Sequence, residues 1–338
     1  MSLPRILITP MVGLISYSYI KTFKDLRKSI NLYLLISLLA CLSLPFQMIF
    51  GEISWFNNSS FRGGLVRYAS LFGNLTAFGI AGGLSLILLL YSNFNKTLKI
   101  TLIIIFIFSL IISLQKTGLV NIFLSIIIYS IISKKLSLLI RYSVFFVFIT
   151  YLIICISLYF FTDSILVKYI ESIFLNTLNV SLVNIDGVAK DSFTISENIL
   201  DRIIKHPLEV FDEYGYISLF FGMGVLGGGG SLGISGPQAH NSFFDLLFVG
   251  GPMNLFFMIG IIISAFYTTI RILKKCFLTN DQRNIINALL SFLILYIINL
   301  PFNSGLLFQP NVSVMFWIFV FFLSRIVSQQ KIPFRFSH

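Results

Sequence analysis

Residues 101–132 read TLIIIFIFSLIISLQKTGLVNIFLSIIIYSII, two long apolar runs joined by the short polar step Gln115, Lys116, Thr117, Gly118. A helix needs about 20 mostly apolar residues to cross the roughly 30 Å hydrocarbon layer. Helix is the form required, because lipid offers no partner for an open backbone group. The stretch therefore reads as two membrane spans closed by a tight turn.

Outward from it the same pattern recurs. Candidate spans lie near residues 5–20, 30–50, 72–92, 98–115, 117–133, 138–161, 252–272, 283–300 and 311–328, nine in all. Composition agrees: 57% of residues are hydrophobic and 11% charged, against about 25% charged in a soluble domain. The expected fold class is all-α, a polytopic integral membrane bundle of about nine spans, forming one domain over residues 1–338. No internal repeat and no low-complexity linker divides it. The apolar run after Arg5 lacks a small-residue cleavage site, so it counts as a span and not a signal sequence. Cys41, Cys155 and Cys276 show no CxxC spacing and no neighbouring His, which argues against disulfide, zinc or haem.

Charge sets the expected orientation. Of the 24 Lys and Arg residues, 16 fall on alternate connections, beginning with Lys21, Lys24, Arg27 and Lys28 and closing with Arg325, Lys331 and Arg335. Short cytoplasmic loops collect basic residues, so the N-terminus is expected outside and the C-terminus in the cytoplasm. The net charge of +11 is then mostly topology, and no nucleic-acid partner is needed.

Three polar segments fall on the expected outer face: residues 51–73, with Trp55 suited to an interfacial aromatic position; the turn at Gln115; and a long segment, 162–251, with most of the acidic residues. A connection of that length calls for structure of its own, and 194–211 (TISENILDRIIKHPLEVF) has the look of an amphipathic helix capped by Ser196 and ended by Pro207. The run GxGxxGG from Gly222 to Gly228 lacks the βαβ context of a dinucleotide site.

Outer-face basic residues are the ones topology does not explain. Arg67 stands before a span and Lys116 at the mouth between two others. If those spans are neighbours, both cations can serve one anion, with arginine able to fork onto phosphate oxygens; the plainer reading is that each snorkels to the headgroups. His240 suits general acid–base work or a structural hydrogen bond, and Asn241 either steadies the imidazole or caps the following helix. Arg62, Tyr68 and Asn74 are further binding candidates. Glu209, Asp212 and Glu213 are alternative bases or a solvated acidic face. No metal cluster and no cofactor motif is evident.

In order along the chain, four pieces resemble the O-antigen polymerase and ligase superfamily of bacterial polysaccharide assembly. RYASLFGN at 67–74 resembles its arginine followed by Gly-Asn at the start of a span, and LQKTG at 114–118 its Ser-Arg-Thr/Ala-Gly turn. Arg202 with FGMG at 221–224 resembles its loop arginine and Gly-x-Gly, and HNSFFDLL at 240–247 its His-Asn-x-aromatic-Leu signature. The resemblance covers roughly residues 60–272 and the flanking spans. Lys116 departs from the usual arginine, making a point charge of a fork, and Val249 stands where many members are acidic. Members usually carry more than nine spans, so helices ahead of residue 1 are expected.

The resemblance implies a GT-C-like, inverting, metal-independent glycosyltransferase working on undecaprenyl-diphosphate-linked oligosaccharide as donor and acceptor, with a chain-length regulator and a flippase as further partners. Breaking a sugar-1-diphosphate bond builds negative charge on the leaving group, which preorganised cations stabilise. Arg67, Arg202 and Lys116 are assigned to the diphosphate and His240 to the acceptor hydroxyl. The continuation FFDLL and the missing acid at Val249 lean towards polymerase over ligase, by resemblance. A flippase for the same lipid is the reading from another class, although transporters tend towards repeated halves and broken helices near the midplane. A structural partner in an assembly complex is the third reading.

Overall fold

The computed structural model describes residues 3–53, 56, 60–62, 65–73, 75–113, 115–134, 222, 241–303 and 306–329. Within them lie eight long helices: α1 (Leu3–Tyr19), α2 (Phe23–Phe50), α3 (Leu75–Leu90), α4 (Lys96–Ile112), α5 (Lys116–Ile132), α6 (Ser242–Lys275), α7 (Asn280–Asn299) and α8 (Pro310–Gln329). Eight of the nine expected apolar runs are thus helical; the ninth, 138–161, lies outside the described residues. Four helices, α2, α6, α7 and α8, are long and apolar enough to cross a membrane, and the chain is a helical membrane protein. The 16 residues of α3 reach only about 24 Å at 1.5 Å per residue.

Helix starts are set by short polar signals. Thr22 and Asp25 form a capping box that begins α2: the Thr22 hydroxyl oxygen accepts from the Asp25 N–H (3.2 Å) while the Asp25 carboxylate accepts from the Thr22 N–H (3.0 Å). Thr279 and Gln282 repeat the device at α7, and the Asn95 side chain caps α4. Lys24, Arg27, Lys28, Lys96 and Lys99 therefore sit in the first two turns of helices, not in the loops before them.

Packing fixes the direction of each helix. Gly79 of α3 meets Gly118 of α5, and Gly83 meets Asn121, so α3 and α5 run parallel with α4 returning between them. On α2, Ser37 takes a hydrogen bond from Ser85 of α3 (2.7 Å) and the Cys41 carbonyl one from Ser109 of α4 (3.1 Å). Gly13 of α1 lies against Trp317 and Phe321 of α8. There the Arg325 guanidinium sits 5.2 Å from the Tyr17 ring centroid and donates to the Tyr17 carbonyl. The core centres on α7, where Tyr296 stacks between Phe292 and Phe316.

Connections alternate between two ends as a result. Residues 20–22, 91–95 and 276–279 lie at one, together with every described basic residue of the clusters around Lys24, Lys99, Lys274 and Arg325. The described residues of 51–73, 113–115 and 300–309 lie at the other.

One expectation is corrected and two are extended. The helical class holds among the described residues, with the addition of a short antiparallel ribbon, β1 (Ser60–Arg62) and β2 (Leu65–Arg67), pairing Arg62 with Leu65 and Ser60 with Arg67. The two residues between them are glycines, the length and composition at which hairpins close. Lys116, Thr117 and Gly118 are not a turn but the first turn of α5, the Leu119 N–H bonding to the Gln115 carbonyl. Finally, the helix expected to follow Asn241 is present over residues 242–249, and it is joined across a break at Gly250 and Gly251 to the expected 252–272 span as the single element α6. The 194–211 helix, Trp55 and the loop of short helices lie outside the described residues.

Candidate functional site

The end opposite the basic clusters holds a network of polar side chains. It begins where the chain leaves β2. The Gln47 amide near the end of α2 donates to the Ala69 carbonyl (2.7 Å), and Asn311 at the start of α8 donates to the Phe72 carbonyl (2.6 Å). The Gly73 N–H closes onto the Ser70 carbonyl with Gly73 at φ +83°, a conformation glycine adopts without strain. These bonds hold residues 68–73, and with them the end of β2, across the termini of α2 and α8.

A second arm joins α5, α7 and α6. Asn121 and Asn299 form a reciprocal amide pair (3.2 and 2.9 Å), and the Asn303 amide donates to the Asn299 carbonyl (2.9 Å). The Ser242 hydroxyl then donates to the Asn303 carbonyl (2.5 Å) and accepts from the Leu306 N–H (3.1 Å). All four side-chain residues are buried. Asn241 caps α6, its side-chain oxygen accepting from the Phe243 N–H (2.9 Å), and Asp245 is buried in the first turn that follows. Gln115, also buried, finds no acceptor for its amide nitrogen among the described residues.

The break in α6 completes the arrangement. Gly251 has φ +67° and ψ −171°, a region essentially confined to glycine. Asn254 donates to the Leu246 carbonyl across the break (3.3 Å), satisfying an acceptor the interrupted helix sets free. Gly222 lies so close that a Cβ there would stand 2.6 Å from the Gly251 nitrogen.

Of the expected site residues, Arg62 and Arg67 are on β1 and β2, Tyr68 is half-buried beside them against the core, Lys116 begins α5, and Asn241 is the buried cap. Their backbone positions gather at this one end, and the helices introduced by the Arg67 segment and by Lys116 are neighbours. Asn74, Arg202 and His240 lie outside the described residues.

Sequence reasoning passed over Asn121, Asn299, Asn303 and Asp245. Polar residues inside apolar runs are the signal that finds the first two, since lipid makes them expensive unless paired. Replacing either Asn121 or Asn299 with leucine leaves its partner's side-chain oxygen buried without a donor, a cost of about 1–3 kcal/mol, although the Asn299 amide still donates to the Leu295 carbonyl (2.8 Å) and that of Asn121 to the Gly79 carbonyl (3.4 Å). The double replacement removes both amides, so its loss in thermal stability is expected to fall short of the two single losses combined. Strict additivity in such a double-mutant cycle would mean the pair is not coupled.

No protein-family model matches the chain, and no curated protein matches it.

Proposed function

We propose that the chain is a glycosyltransferase that joins undecaprenyl-diphosphate-linked repeat units at the outer face of a bacterial inner membrane, a surface-polysaccharide polymerase. The observation that carries this reading is the ordered set of sequence pieces around Arg67, Lys116, Arg202 and His240. The described members support it by standing at one end of the bundle, the end opposite the basic clusters.

In the proposed reaction the acceptor sugar hydroxyl attacks the anomeric carbon of the donor glycan. The bond from that carbon to the diphosphate oxygen breaks, its electron pair leaving with the undecaprenyl diphosphate, and the hydroxyl proton passes to His240. Attack from the face opposite the leaving group inverts the anomeric centre. Arg67, Arg202 and Lys116 stabilise the charge that grows on the diphosphate. Asn241 serves this site by fixing the start of α6 next to His240, since its side-chain oxygen is committed to the cap. Arg62, Tyr68 and Asn74 are assigned to the glycan and diphosphate.

The test is a deletion in the native host complemented with wild type, His240→Ala, Arg67→Ala or Arg202→Ala at matched expression, with surface polysaccharide run on a gel. A polymerase predicts lipid A core carrying one repeat unit in the deletion, and no restored ladder from the three variants. Bare core with long carrier-linked polymer would identify a ligase. Repeat units held on the cytoplasmic side would identify a flippase, and full ladders from all three variants would remove the site.

A further inference from the structure

A cavity of about 160 Å³ opens at the basic end between α2, the end of α3 and the start of α7. This is about the size that admits a six-membered ring. Its inner wall is formed by the buried Ile30, Leu88 and Ile285, and its outer part by Arg27, Asn31 and Asn93. An apolar floor under a polar, cationic rim is the shape of a site for an amphiphile, not for a soluble ion alone.

Arg27 pairs with Asp281, which also accepts a hydrogen bond from the Asn93 amide. Both charged side chains stay partly open, 31% and 44% exposed. Lys24 and Lys28 flank Arg27 on α2, while Lys99 holds the turn behind the cavity by donating to the Leu90 and Ser92 carbonyls (2.5 and 3.1 Å). Among the described residues, Asp25 and Asp281 are the acidic groups at this end, and Asp25 is engaged in the cap of α2. Asp281 is therefore the carboxylate that competes for Arg27.

We propose that this cavity seats the headgroup phosphate of an anionic phospholipid, with Arg27 forking onto the phosphate oxygens in exchange for Asp281. The glycerol and upper acyl carbons lie on Ile30, Leu88 and Ile285. Arginine matches phosphate in two parallel hydrogen bonds, and basic pockets between helices at a cytoplasmic surface seat acidic headgroups. The inference is independent of the transferase reading, because it concerns the other end of the bundle.

The full chain, reconstituted in phosphatidylcholine vesicles with or without phosphatidylglycerol, provides the test through thermal unfolding and lipid titration. Wild type is expected to gain stability from phosphatidylglycerol. Arg27→Gln is expected to bind it about tenfold more weakly, as for loss of a hydrogen bond to a charged group. Asp281→Asn frees Arg27 and is expected to bind it more tightly, even if the variant itself is less stable. Lys274→Gln, on the exposed last turn of α6, should leave the gain unchanged. An unaltered gain in Arg27→Gln, weaker binding in Asp281→Asn, or an equal loss in Lys274→Gln would overturn the site. A matching gain from inorganic phosphate in phosphatidylcholine alone would overturn the lipid assignment.

Discussion

Gly83→Leu is expected to leave almost no folded protein, whereas Gly260→Leu leaves yield and thermal stability close to wild type. A Cβ on Gly83 would stand 2.5 Å from the Asn121 Cβ, a side-chain root that cannot swing away, while a Cβ on Gly260 meets nothing within 4 Å. Gly79 and Gly83 form a GxxxG pair facing α5, and between them Gly82 faces Leu110 of α4. Small residues at this spacing let helix backbones approach within a membrane, where helices have no hydrophobic drive to associate and depend on close packing. Overpacking a fitted contact costs about 1–3 kcal/mol; here it also forces apart the Asn121–Asn299 pair. Yield of monodisperse protein in detergent and its melting temperature check this. Equal behaviour of the two variants would mean that the α3–α5 contact is not close.

Gly251→Val carries the second large effect. The substitution forces a β-branched residue into φ +67°, ψ −171°, where strain alone amounts to about 1–3 kcal/mol. Pro252 bars a straight helix as the escape, so the chain must bend differently at residues 249–251, which would disturb the contact with Gly222 and the packing of residues 242–249 beside Asn303. Loss of thermal stability should therefore be accompanied by loss of activity in the complementation test. Gly222→Ala is expected to act in the same direction, because its Cβ would meet the Gly251 and Gly250 nitrogens at 2.6 and 2.8 Å. A Gly251→Val protein with wild-type stability would show that the break is not needed for the fold.

These two sites mark how far reading along the chain carries. The expected span at 252–272 began at Pro252, where the structure resumes the helix after its break; a proline after two glycines is punctuation any reading registers. What that reading did not foresee was that the helix following Asn241 abuts the span across the break as one element, since residues 162–251 were grouped apart from it by polarity. Lys116 shows the opposite error. Gln115, Lys116, Thr117 and Gly118 look like a turn by composition, yet they start α5, because Gly118 serves the contact with Gly79 and not a bend. The hairpin at 60–67 escaped notice because three-residue strands carry too little periodicity to read.

At the candidate site the limits are similar. Basic residues in apolar surroundings drew attention to Arg67 and Lys116, since an unexplained charge near lipid is conspicuous. Gln47 and Asn299 carry no charge, and they bind partners far away in sequence: Gln47 binds Ala69, and Asn299 binds Asn121.

The sequence by itself determined the membrane class, the approximate positions of eight helices and the alternation of basic clusters; the caps that start α2, α4 and α7 are equally local, although the expected spans there began near residues 30, 98 and 283. Each depends on interactions within a few residues: the hydrophobicity of one segment, a cap three residues away, a charge at a helix end. Tertiary structure alone decided which helices are neighbours, that α3 and α5 run parallel on a glycine contact, that Asn121 and Asn299 satisfy each other, and that the chain at Gly222 lies on the break in α6. Those outcomes depend on how surfaces from distant parts of the chain fit, and a steric match over such separations has no one-dimensional signature.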